Sequence, residues 1–172
     1  MKKTILIIVS IILFAIPFPS WIYSIVKGVR FDANCGNYLE LAGDANSIEL
    51  AEKHLSKAIT YLEENKMTSG DTRVVIYYPK NDVGLWYENL KTAQLQLQEM
   101  IRQGNASDLE KSNMLMKLRE TLLNEGGSLI IPYGVSRLEN FQVTFWLNIT
   151  LWLVWIPASI TTYYACQEDY LW

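Results

Sequence analysis

The chain has 172 residues and a formal net charge of -3, from 15 Lys and Arg against 18 Asp and Glu. That length holds one modest soluble unit beside a few membrane segments, not several independent cores. Its charged fraction of 19% lies below the roughly 25% usual for soluble domains, with the deficit at the two ends of the chain, and the absence of clustered Lys and Arg excludes nucleic acid as a partner.

The first segment, MKKTILIIVSIILFAIPFPSWIYSIVKG, has a basic start and then carries no charge from Thr4 to Val26. At about 1.5 Å per residue this makes roughly 35 Å of helix, enough to cross a bilayer, so residues 1–26 are expected to be an N-terminal transmembrane anchor. A cleaved signal peptide is the rival, because Pro17 and Pro19 can end the apolar helix at signal-peptide length. Against it, Ser24 with Ile22 two positions before is a poor cleavage site, the apolar run continues past it, and membrane helices tolerate proline. A lipoprotein reading fails because Cys35 follows Asn34 rather than a small residue.

Residues 27–140 read as a mainly helical soluble domain. Asn46 with Glu49 three residues later has the form of a capping box and starts the first helix. Ile48, Ala51, Leu55, Ala58 and Leu62 then follow at separations of 3, 4, 3 and 4, an apolar stripe opposite Glu49, Glu52, Lys53, Lys57, Glu63 and Glu64. The turn residues of TSGDT, 68–72, end it. The second helix starts near Asn81 or Asp82, carries Val83, Trp86, Leu90, Ala93, Leu97 and Met100 on one face, and closes at Gly104. A second capping box, Ser107 with Glu110, opens the third, which bears Leu115, Leu118 and Leu122 and runs to Gly126 and Gly127. Three such helices bury their stripes only on one another, as a small antiparallel bundle or coiled-coil-like hairpin. Two stretches rich in β-branched and aromatic residues break the pattern, and the economical expectation is a short two-stranded β ribbon of 72–78 with 128–133; extended segments lying at the membrane surface are the alternative.

The last apolar segment, FQVTFWLNITLWLVWIPASITTYYAC, is uncharged over 141–166 and long enough to form a C-terminal transmembrane helix, leaving a short tail at 167–172. Trp21, Tyr23, Trp146, Tyr163 and Tyr164 fall where rings would settle at the headgroups. Asn148 and Thr150 are candidate intramembrane helix contacts, with Ser10 the comparable polar residue deep in the first segment, and Pro157 suggests a kink.

The stretch LAGDANSIELAEKHLSKAI resembles the second half of a tetratricopeptide repeat: a Gly-Asp turn leads into a helix with Ala51 seven residues before Ala58 of the Lys57-Ala58 pair. The resemblance covers about twenty residues and implies a concave, peptide-binding face. The turn is longer than in that repeat and no second copy follows at a period of about 34, so we read the likeness as convergence on helix-hairpin packing.

Catalytic signals are few. His54, the single histidine, lies beside the apolar stripe and is expected to be a solvated surface imidazole. No zinc-protease, Walker, dinucleotide or nucleophile-elbow motif occurs, and the acids alternate with lysines as on a solvated face. We therefore expect no catalytic residues, cofactor or metal. Of the two cysteines, Cys35 is a candidate exposed thiol, with burial or an intermolecular bond as alternatives, and Cys166 lies across the membrane from it. NAS, 105–107, fits both a glycosylation sequon and a helix cap, and the cap is preferred.

Two crossings put both termini on one side. Lys2 and Lys3 favour a cytoplasmic N-terminus, while Lys27, Arg30 and Arg137 on the opposite side pull the other way. A short basic tail ahead of an apolar helix is the signal-anchor arrangement, so the expected placement is a plasma or inner membrane with cytoplasmic termini and 27–140 outside. The expected function is that of a non-catalytic, membrane-anchored interaction, accessory or scaffold subunit, partnered by the lipid bilayer and by another membrane protein or a second copy. The alternative is a membrane-embedded enzyme or transport component with a site near the bilayer at Asn148, Tyr133 or the nearby acids.

Overall fold

The computed structural model describes residues 17–72 and 78–167 together with positions 5, 8, 9 and 11; at 17, 18, 20, 139, 140, 142, 144, 161, 162 and 165–167 it describes the backbone alone. The described chain is mainly helical. It falls into two compact units, one of Lys27–Glu139 and one of the two ends, Met1–Val26 with Asn140–Trp172.

Helix α1, Pro17–Phe31, runs into a π turn, Asp32–Gly36, and then α2, Asn37–Gly43. The turn is closed by the Asn37 N–H donating to the Asp32 carbonyl five residues back. Phe31, Cys35, Leu39 and Ala42 are all buried. Their separations of 4, 4 and 3 add up to about three helical turns, which keeps them on one face.

Helix α3, Ile48–Glu64, buries every residue of the expected stripe, and Ile59 besides. Its cap differs by one position: Ser47, with extended backbone, accepts from Leu50 N–H at 3.2 Å, so Asn46 lies outside the helix. Helix α4, Val83–Gln103, is capped by Asp82, whose carboxylate accepts from Leu85 N–H at 3.0 Å, and it ends at Gly104 in the left-handed region. Val83, Leu90, Ala93 and Leu97 are buried, with Trp86 and Met100 packed at their edge. Helix α5, Asp108–Leu122, opens with the complete Ser107–Glu110 capping box. It stops at Leu122, short of Gly126, because Leu123 turns extended and pairs with Leu129. Met114, Leu118 and Leu122 are its buried face, and Leu115 is half-buried.

A polar ladder fixes how α3 and α4 meet. Along α3 the rungs are Glu52, Ser56 and Glu63; their partners fall along α4 as Gln98, Gln94 and Tyr87. Each step up one helix matches an equal step down the other, which is antiparallel packing in one register. The Ser56–Gln94 rung, 2.9 Å, satisfies a buried amide that would otherwise cost about 1 to 3 kcal/mol.

The Glu63 rung also carries a testable pH dependence. Tyr87 Oη donates to Glu63 Oε1 at 2.5 Å, and Lys91 Nζ donates to the same oxygen at 3.1 Å. Burial and the adjacent carboxylate push the Tyr87 phenol from its ordinary 10.0 up to about 12, and the hydrogen bonds from Tyr87 and Lys91 lower Glu63. A raised phenol stabilises the fold below its unfolded value and loses that contribution as pH climbs through the folded one. Melting temperature should therefore fall more steeply between pH 10 and about 12 in the native chain than in Tyr87→Phe. Parallel curves would exclude the rung as a contributor.

Two expectations need correction. No strand occurs among the described residues. Positions 73–77 of the proposed ribbon lie outside them, and 128–133 spends its backbone bonds elsewhere: Ile130 N–H donates to Leu122 O at 2.8 Å and Ser128 O accepts from Asn124 N–H at 2.8 Å. Trp86 Nε1 then donates to Ile130 O at 3.0 Å, tying this extended segment to α4. The second concerns the membrane segments. Helix α6, Phe141–Gln167, follows a 3-10 stretch at Val135–Asn140 and continues through Pro157. Among the described residues, no helix is long and apolar enough to cross a membrane. The part of α6 with unbroken side-chain description, 145–160, covers about 24 Å against roughly 30 Å of hydrocarbon.

Candidate functional site

The sequence-derived candidates do not converge on one place. Asn148 is half-buried in α6. Thr150 is exposed, but its hydroxyl is spent on its own helix, donating to Trp146 O at 3.0 Å and Leu147 O at 2.9 Å. It therefore has no proton to give a neighbouring helix. Ser159 behaves alike, donating to Trp155 O at 2.9 Å. Ser10 and the Cys166 side chain lie outside the described residues. Tyr133 is exposed.

Cys35 is buried, 0% exposed, inside the π turn. Desolvation, reinforced by Asp32, pushes its thiol up to about 12, so it stays protonated and unreactive at neutral pH. Of the alternatives that sequence leaves for Cys35, the structure has the buried one: it shares the core cluster with Phe31 and Leu39 rather than being an exposed thiol.

His54 is not a solvated imidazole either. Its ring stacks on Tyr38 with centroids 6.1 Å apart, and its Nδ1 is buried without a hydrogen-bond partner. Beside the apolar stripe of α3, in this fold, means against α2, which sequence periodicity could not say while α2 itself was unrecognised. Among the described residues, no group of His, Cys, Asp and Glu is placed to hold a metal ion.

Two surface features are assembled from several elements. One is an apolar groove of about 460 Å³ between α4 and α5, lined by Thr92, Leu95, Gln96, Glu99, Met100, Gln103 and Met114. Leu95 on its wall is 61% exposed, and Leu109 and Met116 on α5 are 70% and 58% exposed. Glu99 beside it is saturated, accepting from Arg102 at 2.9 and 2.7 Å and from Gln103 at 2.7 Å, and these bonds hold its carboxyl down at about 2.

The other is a polar groove of about 420 Å³ between the π turn and α3, lined by Asn34, Tyr38, Ser56, Lys57, Thr60, Tyr61 and Glu64. Lys57 Nζ lies 4.9 Å from the centroid of the Tyr38 ring, a cation–π contact that fixes the ammonium in place. Periodicity does not point to this groove, because its second wall, Asn34 and Tyr38, is made by the π turn and α2. No family model, curated protein or solved structure matches this chain.

Proposed function

We propose that the chain is a non-catalytic interaction or accessory subunit whose two ends hold the helical unit Lys27–Glu139 at a membrane. The observation that carries the interaction role is the α4–α5 groove, where Leu95, Met100 and Met114 form an apolar trough with Leu95 exposed on its wall. Contiguous apolar surface of this kind, rimmed by polar side chains, marks protein contacts, and methionines adapt to a partner's shape. The membrane role draws on α6, which carries no charged residue across Phe141–Gln167 and exposes Val143, Leu147, Leu153, Val154 and Ile156. A surface of that character is costly in water and favourable in lipid.

The partner we propose is another protein of the same membrane. In mild detergent, the native chain should retain that partner, and the double variant Thr92→Glu, Leu95→Glu, at two exposed positions lining the groove, should lose it while keeping its helical circular dichroism. Undiminished partner recovery with the double variant would remove the groove from the interface. A native complex containing only this chain would make the partner a second copy. For sidedness we propose cytoplasmic termini; since Cys35 is buried, the position to label is Asn105, exposed in the loop between α4 and α5.

A further inference from the structure

We propose that the polar groove between the π turn and α3 binds a short zwitterion whose carboxylate meets Lys57 and whose ammonium meets Glu64, a free-ended tripeptide being its simplest form. This goes beyond the protein-contact role and uses a different face of the unit.

Charge comes first. Among the described residues, Lys57 makes no ion pair; its ammonium is held over Tyr38 and otherwise open to the groove. At the other end, Glu63 is taken by Tyr87 and Lys91, but Glu64 has no such partner. Glu64 is also the last residue of α3, whose last turn holds no basic residue. The partial negative charge of a helix C-terminus favours a cation there, so helix and carboxylate act in the same sense.

Spacing selects the length. Seven residues separate Lys57 from Glu64, about 10.5 Å of helix rise. An extended peptide advances about 3.3 to 3.6 Å per residue, so three residues span the two charges. A volume of about 420 Å³ lies within the range of roughly 300 to 1,000 Å³ typical of small-ligand sites.

The groove between the two charges suits peptide groups, which need both donors and acceptors. Ser56 Oγ accepts from Gln94 and keeps its own proton to give. Thr60 gives its proton to Ser56 O at 2.9 Å, leaving its oxygen as an acceptor. Asn34, also in the lining, donates from Nδ2 to Arg30 O at 2.8 Å, which leaves its amide oxygen as an acceptor. Tyr38 and Tyr61 flank these groups with rings that cover aliphatic side chains.

The groove is open and its charges are hydrated, so affinity should be modest, with Kd on the order of 1 mM. The test is an amide chemical-shift titration of the full chain in detergent micelles with trialanine bearing free ends. Shifts should map to 34–38 and 56–64, and Kd should rise at least about tenfold for N-acetyl-trialanine amide. Lys57→Gln and Glu64→Gln, both at exposed positions, should each weaken the free-ended peptide at least about fivefold with an otherwise unchanged spectrum. Equal binding of the blocked peptide, unaltered binding by either variant, shifts elsewhere, or no shift up to about 10 mM would overturn the proposal. None of these outcomes bears on membrane retention or on the α4–α5 groove.

Discussion

Leu55→Ala is expected to lose about 2 to 5 kcal/mol of unfolding free energy. Leu55 is 0% exposed and sits between Ala51 and Ala58 on the buried stripe of α3. Alanine neighbours have no side-chain length with which to fill the space, and the ladder of Glu52, Ser56 and Glu63 against α4 holds the helices apart at a fixed register. The cavity should therefore persist, which places the cost in the upper part of that range. Leu90, equally buried on the facing side of α4, should behave alike. Denaturant unfolding of the full chain in detergent measures both. Unchanged midpoints in the two variants would mean that α3 and α4 do not share a core.

Gly70→Ala should destabilise by about 1 to 3 kcal/mol for a different reason. The backbone at Gly70 has φ +120, a region that L residues rarely enter, and an added Cβ would sit 3.3 Å from Leu138 Cδ1. The segment cannot relax freely: Gly70 O accepts from Val83 N–H at 3.0 Å and Thr72 N–H donates to Asn81 O at 3.2 Å, pinning it to the start of α4. Gly28→Ala is the control. It lies within α1 with nothing inside 4 Å of the new Cβ, so it should be neutral or gain up to about 1 kcal/mol. Equal effects at the two positions would contradict the backbone argument.

What could be read from sequence follows from how local each feature is. The stripes of α3 and α4 and the caps at Asp82 and Ser107 are local and periodic, and the structure places them as expected. The cap of α3 lies one residue on from the expected one because Asn46 and Ser47 are both good cap formers, and it is Ser47, with extended backbone, whose side chain accepts from Leu50 N–H. Helix α2 was missed because seven residues carry too little periodicity, and Gly36 just before it reads as a break. Three further features depend on α2 and the π turn. Without them Cys35 stays undecided between exposure and burial, His54 reads as solvated, and the groove holding Lys57 has only one wall. The ribbon was proposed from composition, but pairing is non-local, and Leu129 found Leu123 instead. The Thr150 hydroxyl donates to its own helix, as a threonine inside a helix readily does, and residue type alone does not reveal that.

The central proposal is that the ends of this chain hold a helical unit in a membrane, and alkaline carbonate extraction of membranes containing the full chain tests it most directly. Carbonate strips proteins bound through charge or through other proteins and leaves those whose apolar segments are embedded in lipid. The account predicts that the chain stays in the membrane pellet after extraction and enters the supernatant only when detergent is added. Release into the carbonate supernatant, with the chain refolding to a helical, monodisperse species on return to neutral pH without detergent, would contradict it.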